Sequence, residues 1–135
     1  MKAAEVTVVT TGNSNRSPNA LIAEEVSLGL LGARELAPAL LAENITWQNG
    51  ESSVIIGRSS VKSAVKLKNL RKVQVEDIVT HGMAAAVSGR LFRDDHDARL
   101  FCHMIKFTSA SAQEIASIVS FEHRLKGENN DQRTA

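Results

Sequence analysis

The sequence predicts an α+β fold, a small antiparallel β-sandwich or partly open barrel closed at one end by a C-terminal α-helix, with a helical insertion after the first strand. Three observations predict it. Strand-like runs separated by turn signals recur between residues 45 and 107. One early segment carries the start signals of a helix, and the last apolar segment changes from a two-residue to a helical period.

The first strand is "EVTVVTT", residues 5–11, rich in β-branched side chains that fit a pleated surface. Ser17 then offers an N-cap oxygen and Pro18 a first helical residue whose missing N–H leaves nothing unpaired, so a helix is expected over 18–31. Gly29, Gly32 and Pro38 argue against one long rod, and a second short helix is expected over 34–42. In "ITWQNGESSVIIG" two β-rich runs flank Asn49-Gly50, the strongest short hairpin signal, which predicts the second and third strands. "AVKLKNL" alternates Val65 and Leu67 with Lys66 and Lys68, as a strand with one wet face does. "KVQVEDIVTHGM", "AAAVSGRLF" and "ARLFCHMIKF" follow as strands, with a turn at Gly82 and another in "RDDHDA". In "LFCHMIKF" both alternating faces are apolar, with Phe101, His103, Ile105 and Phe107 sharing one of them, which predicts a strand covered on both sides. Finally Ser111 and Glu114 form a capping-box pattern, and Ile115, Ile118, Phe121 and Leu125 recur at helical spacing, which predicts a packed C-terminal helix.

Composition bounds the function classes. The 135 residues fit one domain, 1–127, with the polar stretch 128–135 as a frayed tail. Sixteen basic and fifteen acidic residues leave a net charge of +1, so no basic field points to nucleic acid as a partner. A single cysteine, Cys102, excludes an internal disulfide framework and a cysteine-rich metal site, which fits a reducing, cytoplasmic setting. No basic-then-apolar leader and no apolar run approaching the ~18 residues of a membrane span is present, so a soluble chain is expected. No cofactor or metal is expected either: adjacent Cys102 and His103 provide too few ligands, and His96 and His103 lie seven apart with no helix to bring them to one face.

Two stretches resemble known families. "GNSNRSP", following a strand and opening a helix, resembles the phosphate loop of low-molecular-weight protein tyrosine phosphatases, with Gly12, Asn13, Arg16, Ser17 and Pro18 in matching places. Thr10 stands where that family has its nucleophilic cysteine, and no Asp-Pro dipeptide supplies the family's acid. A threonine hydroxyl ionises far less readily than a thiol, so the resemblance implies a catalytically dead phosphate binder centred on Arg16. The same residues also read as a strand end, a glycine turn and a helix start.

The second resemblance covers more of the chain. "GRLFRDDHDARLFCHMIKFTSASAQEIASIVSFEHRL" resembles the closing block of phosphotyrosine-binding (PTB) domains of the pleckstrin-homology-like (PH-like) superfold, through Arg93-Asp94, Leu100, Cys102-His103 and Phe121. "VEDIVTHG" stands where that family has its fifth strand. The resemblance implies a non-catalytic adaptor, its partner a receptor or adaptor cytoplasmic-tail peptide of the Asn-Pro-x-Tyr type. Such a peptide adds as a strand between the fifth strand, Ile78, Val79, Thr80, His81, Gly82 and Met83, and a helix presenting Ile115, Ile118, Phe121 and Leu125. It also implies a phosphate or anionic membrane-lipid contact, at the inner membrane surface, through Lys62, Lys66, Lys68, Arg71 and Lys72 beside Arg16. The plain alternatives stay open: Phe121 and the isoleucines as core, the lysines as the wet side of a strand, and the whole chain as a PH-like lipid-binding scaffold.

Overall fold

The computed structural model describes residues 6–11, 17–65, 70–93, 97–109 and 114–125. They form β1 (Thr7–Thr10), α1 (Pro18–Leu31), a 3₁₀ turn (Pro38–Leu40), β2 (Leu41–Asn49), β3 (Ile55–Ile56), α2 (Arg58–Ala64), β4 (Leu70–His81), β5 (Ala84–Arg93), β6 (Ala98–Phe107) and β7 (Ile115–Arg124).

Local chemistry sets several of these as expected. Ser17 Oγ accepts from the Ala20 amide and Pro18 opens α1, while Gly32 ends it in the left-handed region at φ 88°. Gly50 takes φ 63° in the turn after β2, as the Asn-Gly pair requires. Long antiparallel ladders join β4 to β5, β5 to β6 and β6 to β7.

The architecture, however, is neither a sandwich nor a barrel closed by a C-terminal helix. Among the described residues the strands make one mixed sheet in the order β1-β4-β5-β6-β7-β2-β3, with β1 parallel to β4 and β2 parallel to β7. α1 packs on one face against β4 and β5, and α2 packs against β2 and β3. The expected C-terminal helix is the strand β7. Its helical spacing has a specific origin: the ladder with β6 shifts between Lys106 and Phe107, so Ile115 and Ile118 both point inward although they are three residues apart. A bulge thus imitates the i, i+3 period of a helix. β-branched Ile115, Ile118 and Val119, with a ready hairpin partner in β6, then favour the extended form. Two smaller expectations are also corrected. Residues 41–42, assigned to a second helix, begin β2, where Leu41 and Ala42 are buried; and residue 64, assigned to a strand, ends α2.

A second irregularity lies in β4, between Val75 and Asp77, and it too puts two residues three apart, Val75 and Ile78, on the buried face. Gly89 sits opposite it. A Cβ there would run into the carbonyl oxygen of Gln74, so only glycine lets the two backbones approach this closely. Bulges bend and twist the strands that carry them. α1 lies against β4 and β5, and the core holds Leu28 of α1, Leu41 and Ile45 of β2, Leu91 of β5 and Ile105 and Phe107 of β6. Each such side chain removed from water stabilises the fold by roughly 1.5–3 kcal/mol. The outward face carries exposed Val79, Leu100, Met104 and Phe121.

Candidate functional site

Three strands bring an indole, a hydroxyl and an imidazole together. His103 of β6 and Ser120 of β7 are directly opposed in their antiparallel ladder, both on the inward face and both buried. Opposed side chains start about 5 Å apart at Cβ, within hydrogen-bond reach, and His103 Nδ1 lies 2.7 Å from Ser120 Oγ. On the far side of β7, Trp47 of β2 donates from Nε1 to the same oxygen at 2.9 Å.

These partners favour one placement of the protons. An indole N–H can only donate, so Ser120 Oγ accepts from Trp47. The described residues give the Ser120 hydroxyl proton no other acceptor than His103 Nδ1. The arrangement that uses every donor of this trio has the His103 ring proton on Nε2, which is buried with no hydrogen-bond partner among the described residues. Burial penalises the imidazolium and pulls the His103 pKa from 6.5 down to about 4. Near neutral pH the ring is thus uncharged, and in this arrangement its Nε2 is a hydrogen-bond donor.

His103 and Ser120 line a cavity of ≈ 140 Å³. Its apolar wall comes from Leu30 and Leu31 at the end of α1, Ala64 at the end of α2, and Trp47. Arg93 and Glu122 join the lining from the ends of β5 and β7. Arg93 Nε is a second buried donor with no partner among the described residues. Its terminal nitrogens lie 3.7 Å from Asp97 and 3.7 Å from Glu122. The same two carboxylates also hold Arg99, at 3.2 and 3.4 Å, and Asp97 holds Arg124 at 3.5 Å. Among the described residues, three guanidinium groups against two carboxylates leave one positive charge in excess beside the cavity.

The residues singled out in the sequence are dispersed. β4 is an interior strand of the sheet, flanked by β1 and β5, and β7 lies three strands away from it. At about 4.8 Å per strand, β7 stands some 14 Å from β4, and the outward groove that reaches from Glu76 of β4 across Cys102 to Phe121 of β7 includes none of Ile78 to Met83. Ile78 is buried, Val79, His81, Gly82 and Met83 are exposed, and Thr80 is half-buried. Ile115 and Ile118 are core, Phe121 faces outward at 51% exposure, and Leu125 follows the end of β7 half-buried. Lys62 lies on α2, where it donates to the Leu36 carbonyl at 3.0 Å and pairs with Glu35. Arg71 and Lys72 lie on β4, Lys72 over the Phe92 ring, on the other side of the sheet order from α2 and its partner β2. Arg16, Lys66 and Lys68 lie outside the described residues, as do Gly12, Asn13 and His96. Thr10 is exposed and donates to Glu24 at 2.9 Å. Cys102 faces away from His103, and partial burial raises its thiol pKa. Among the described residues no group of three or more His, Cys, Asp or Glu side chains could hold a metal ion, and no helix is long and apolar enough to cross a membrane.

Trp47, Ser120 and Glu122 were not singled out from the sequence, and Arg93 entered only through a family resemblance. The one available signal was His103, a polar side chain on a face otherwise made of Phe101, Ile105 and Phe107.

No protein-family profile matches the chain, and no curated protein matches it in sequence. Solved structures do. An NTF2-like protein of unknown function from Mesorhizobium loti superposes with a TM-score of 0.63 at 17% identity, over 85% of this chain and 99% of that one. A putative SnoaL-like polyketide cyclase from Jannaschia sp. CCS1 does so at 0.55 and 15%, over 82% and 91%. A Mycobacterium tuberculosis protein in complex with estradiol-17β-hemisuccinate gives 0.55 and 16%, over 78% and 94%. At these identities the likeness is one of fold, and the fold is the NTF2-like α+β type. It replaces both resemblances read from the sequence. The chain is not a PTB or PH-like domain or a relative of the phosphatases, and the tail-peptide adaptor and phosphoinositide readings fall with that fold.

Proposed function

We propose that this chain binds a compact organic molecule in the cavity between the C-terminal end of α1 and the inward faces of β2, β6 and β7, and does so without chemical turnover. The observation that carries the reading is a cavity lined by His103 and Arg93, each of which holds a buried N–H donor, Nε2 and Nε, without a hydrogen-bond partner among the described residues. A buried donor left unpaired costs about 1–3 kcal/mol, so an occupant that offers oxygen acceptors recovers that cost. Volume sets the size. A dry cavity of about 150 Å³ takes up benzene, and the ≈ 140 Å³ here suits a single-ring body rather than a fused-ring one. That a protein of this fold has been solved with an organic ligand agrees with the class of function.

The state of the donors supports binding without turnover. A general base must accept a proton near the working pH. His103 has its accepting nitrogen occupied by Ser120, and the Asp97 and Glu122 carboxylates are held by arginines.

The test is an amide and indole NMR titration of the whole chain with acetophenone, a neutral ring carrying one acceptor oxygen. Shifts should centre on the Trp47 indole, Leu30, Leu31 and Ser120, and should vanish in Ala64→Phe, which fills the cavity wall. Shifts confined to the outward groove around Phe121 and Cys102 would place binding elsewhere and refute the reading.

A further inference from the structure

The lining brings the donor-bearing residues His103 and Arg93 together with the Asn49 amide, and arginines outnumber carboxylates around it among the described residues. Its carboxylates are engaged: Asp97 lies between three arginines and Glu122 between two. His103 is held by the Trp47–Ser120 chain and keeps Nε2 without a partner among the described residues, as Arg93 keeps Nε while its two terminal nitrogens are in ion pairs. His103 is 3% exposed, and the Arg93 side chain 11%, so water competes weakly for either donor.

From this we infer that the ligand is a small monocarboxylate on a single-ring-sized apolar body, its carboxylate accepting from His103 Nε2–H and Arg93 Nε–H and its ring against Leu30, Leu31 and Trp47. The inference rests on the binding reading above and narrows it to a chemical class. A carboxylate has two oxygens and no donor, which matches two N–H groups better than the single acceptor of a ketone or the mixed donor and acceptor edge of an amide. It brings one negative charge to a cluster with one positive charge in excess, and charge-assisted hydrogen bonds are roughly twice as strong as neutral ones. A dicarboxylate would overcompensate that charge, and a phosphate monoester would bring about two charges and three oxygens to two donors. A cationic ligand would lie beside guanidinium groups that outnumber the carboxylates among the described residues.

Benzoate, acetophenone and toluene share a ring and differ in what they offer the donors, so their titration at pH 7, followed by NMR, separates the possibilities. Benzoate should bind at least about tenfold tighter than acetophenone, and toluene should bind more weakly than acetophenone. Benzoate should also move the His103 Nε2 and Arg93 Nε resonances. Arg93→Lys keeps the charge and removes that N–H, so it should reduce the preference for benzoate over acetophenone. If this variant does not fold, the three-probe series on the native chain decides alone. Acetophenone or toluene binding in the cavity as tightly as benzoate would overturn the carboxylate class while leaving small-molecule binding in place. Absence of cavity shifts with all three would overturn both readings.

Discussion

Replacing Ser120 with alanine removes one oxygen that serves two buried partners. Trp47 Nε1–H loses its acceptor at 2.9 Å, and His103 Nδ1 loses its donor at 2.7 Å. Each buried group left unpaired costs about 1–3 kcal/mol, and the methylene kept by alanine preserves most of the packing, so the expected loss is about 3 kcal/mol. For a chain of this size that lowers the melting midpoint by about 10 °C. Urea denaturation followed by Trp47, the single tryptophan of the chain, measures the loss directly. Ser88→Ala, on the outward side of β5, is the control and should stay within about 0.5 kcal/mol. Stability alone would not prove the relay, so the second readout is the imidazole nitrogen spectrum. Native His103 should carry its proton on Nε2, and Ser120→Ala should lose that strict preference. A native ring protonated on Nδ1, or a Ser120→Ala loss no larger than that of Ser88→Ala, would refute the proton assignment on which the cavity's donor character depends.

Two further outcomes follow from the same geometry. Because the pKa of His103 is about 4 in the fold against 6.5 as its ordinary value, the unfolded chain binds a proton in that window that the folded chain does not. This contribution is complete above about pH 6.5 and is lost as the pH falls toward about 4, by about 3 kcal/mol at roughly 1.4 kcal/mol per pH unit. Urea midpoints measured from pH 7.5 to 4 should fall more steeply for the native chain than for His103→Gln, and parallel curves would contradict the buried, neutral imidazole. Gly89→Ala should cost more than about 3 kcal/mol or abolish folding, since its Cβ would meet backbone at Gln74 and no rotamer can relieve the contact. Gly50→Ala, with open space but φ 63°, should cost only about 1 kcal/mol, and equal thermal midpoints for the two variants would contradict the close approach at the β4 bulge.

The parts of the site that the sequence shows and hides differ for a physical reason. The alternation in "LFCHMIKF" already sets His103 among Phe101, Ile105 and Phe107, so its burial can be read from a two-residue period. Ser120 and Glu122 are hidden because they are polar residues on the inward face of β7, where an apolar residue would have completed the strand pattern. With those positions polar, the remaining apolar residues Ile115, Ile118 and Phe121 fall at helical spacing, and the cavity lining itself disguises the strand that carries it. Trp47 is visible as a residue in a β-rich run, but its bond to Ser120 spans 73 positions of sequence and needs the parallel pairing of β2 with β7.

By itself the sequence determined the local events: the Ser17-Pro18 start and Gly32 end of α1, the Asn49-Gly50 turn, and the long alternating strands β4, β5 and β6. These depend on neighbours a few residues apart, whose capping, φ preference and side-chain period act before any distant contact forms. Strand order, the parallel pairings of β1 with β4 and β2 with β7, the extended form of 115–124 and the meeting of Trp47, Ser120, His103 and Arg93 at one cavity were decided only by the tertiary structure. There, burial of a shared inward face and the completion of backbone ladders outweigh local propensities worth tenths of a kcal/mol per residue.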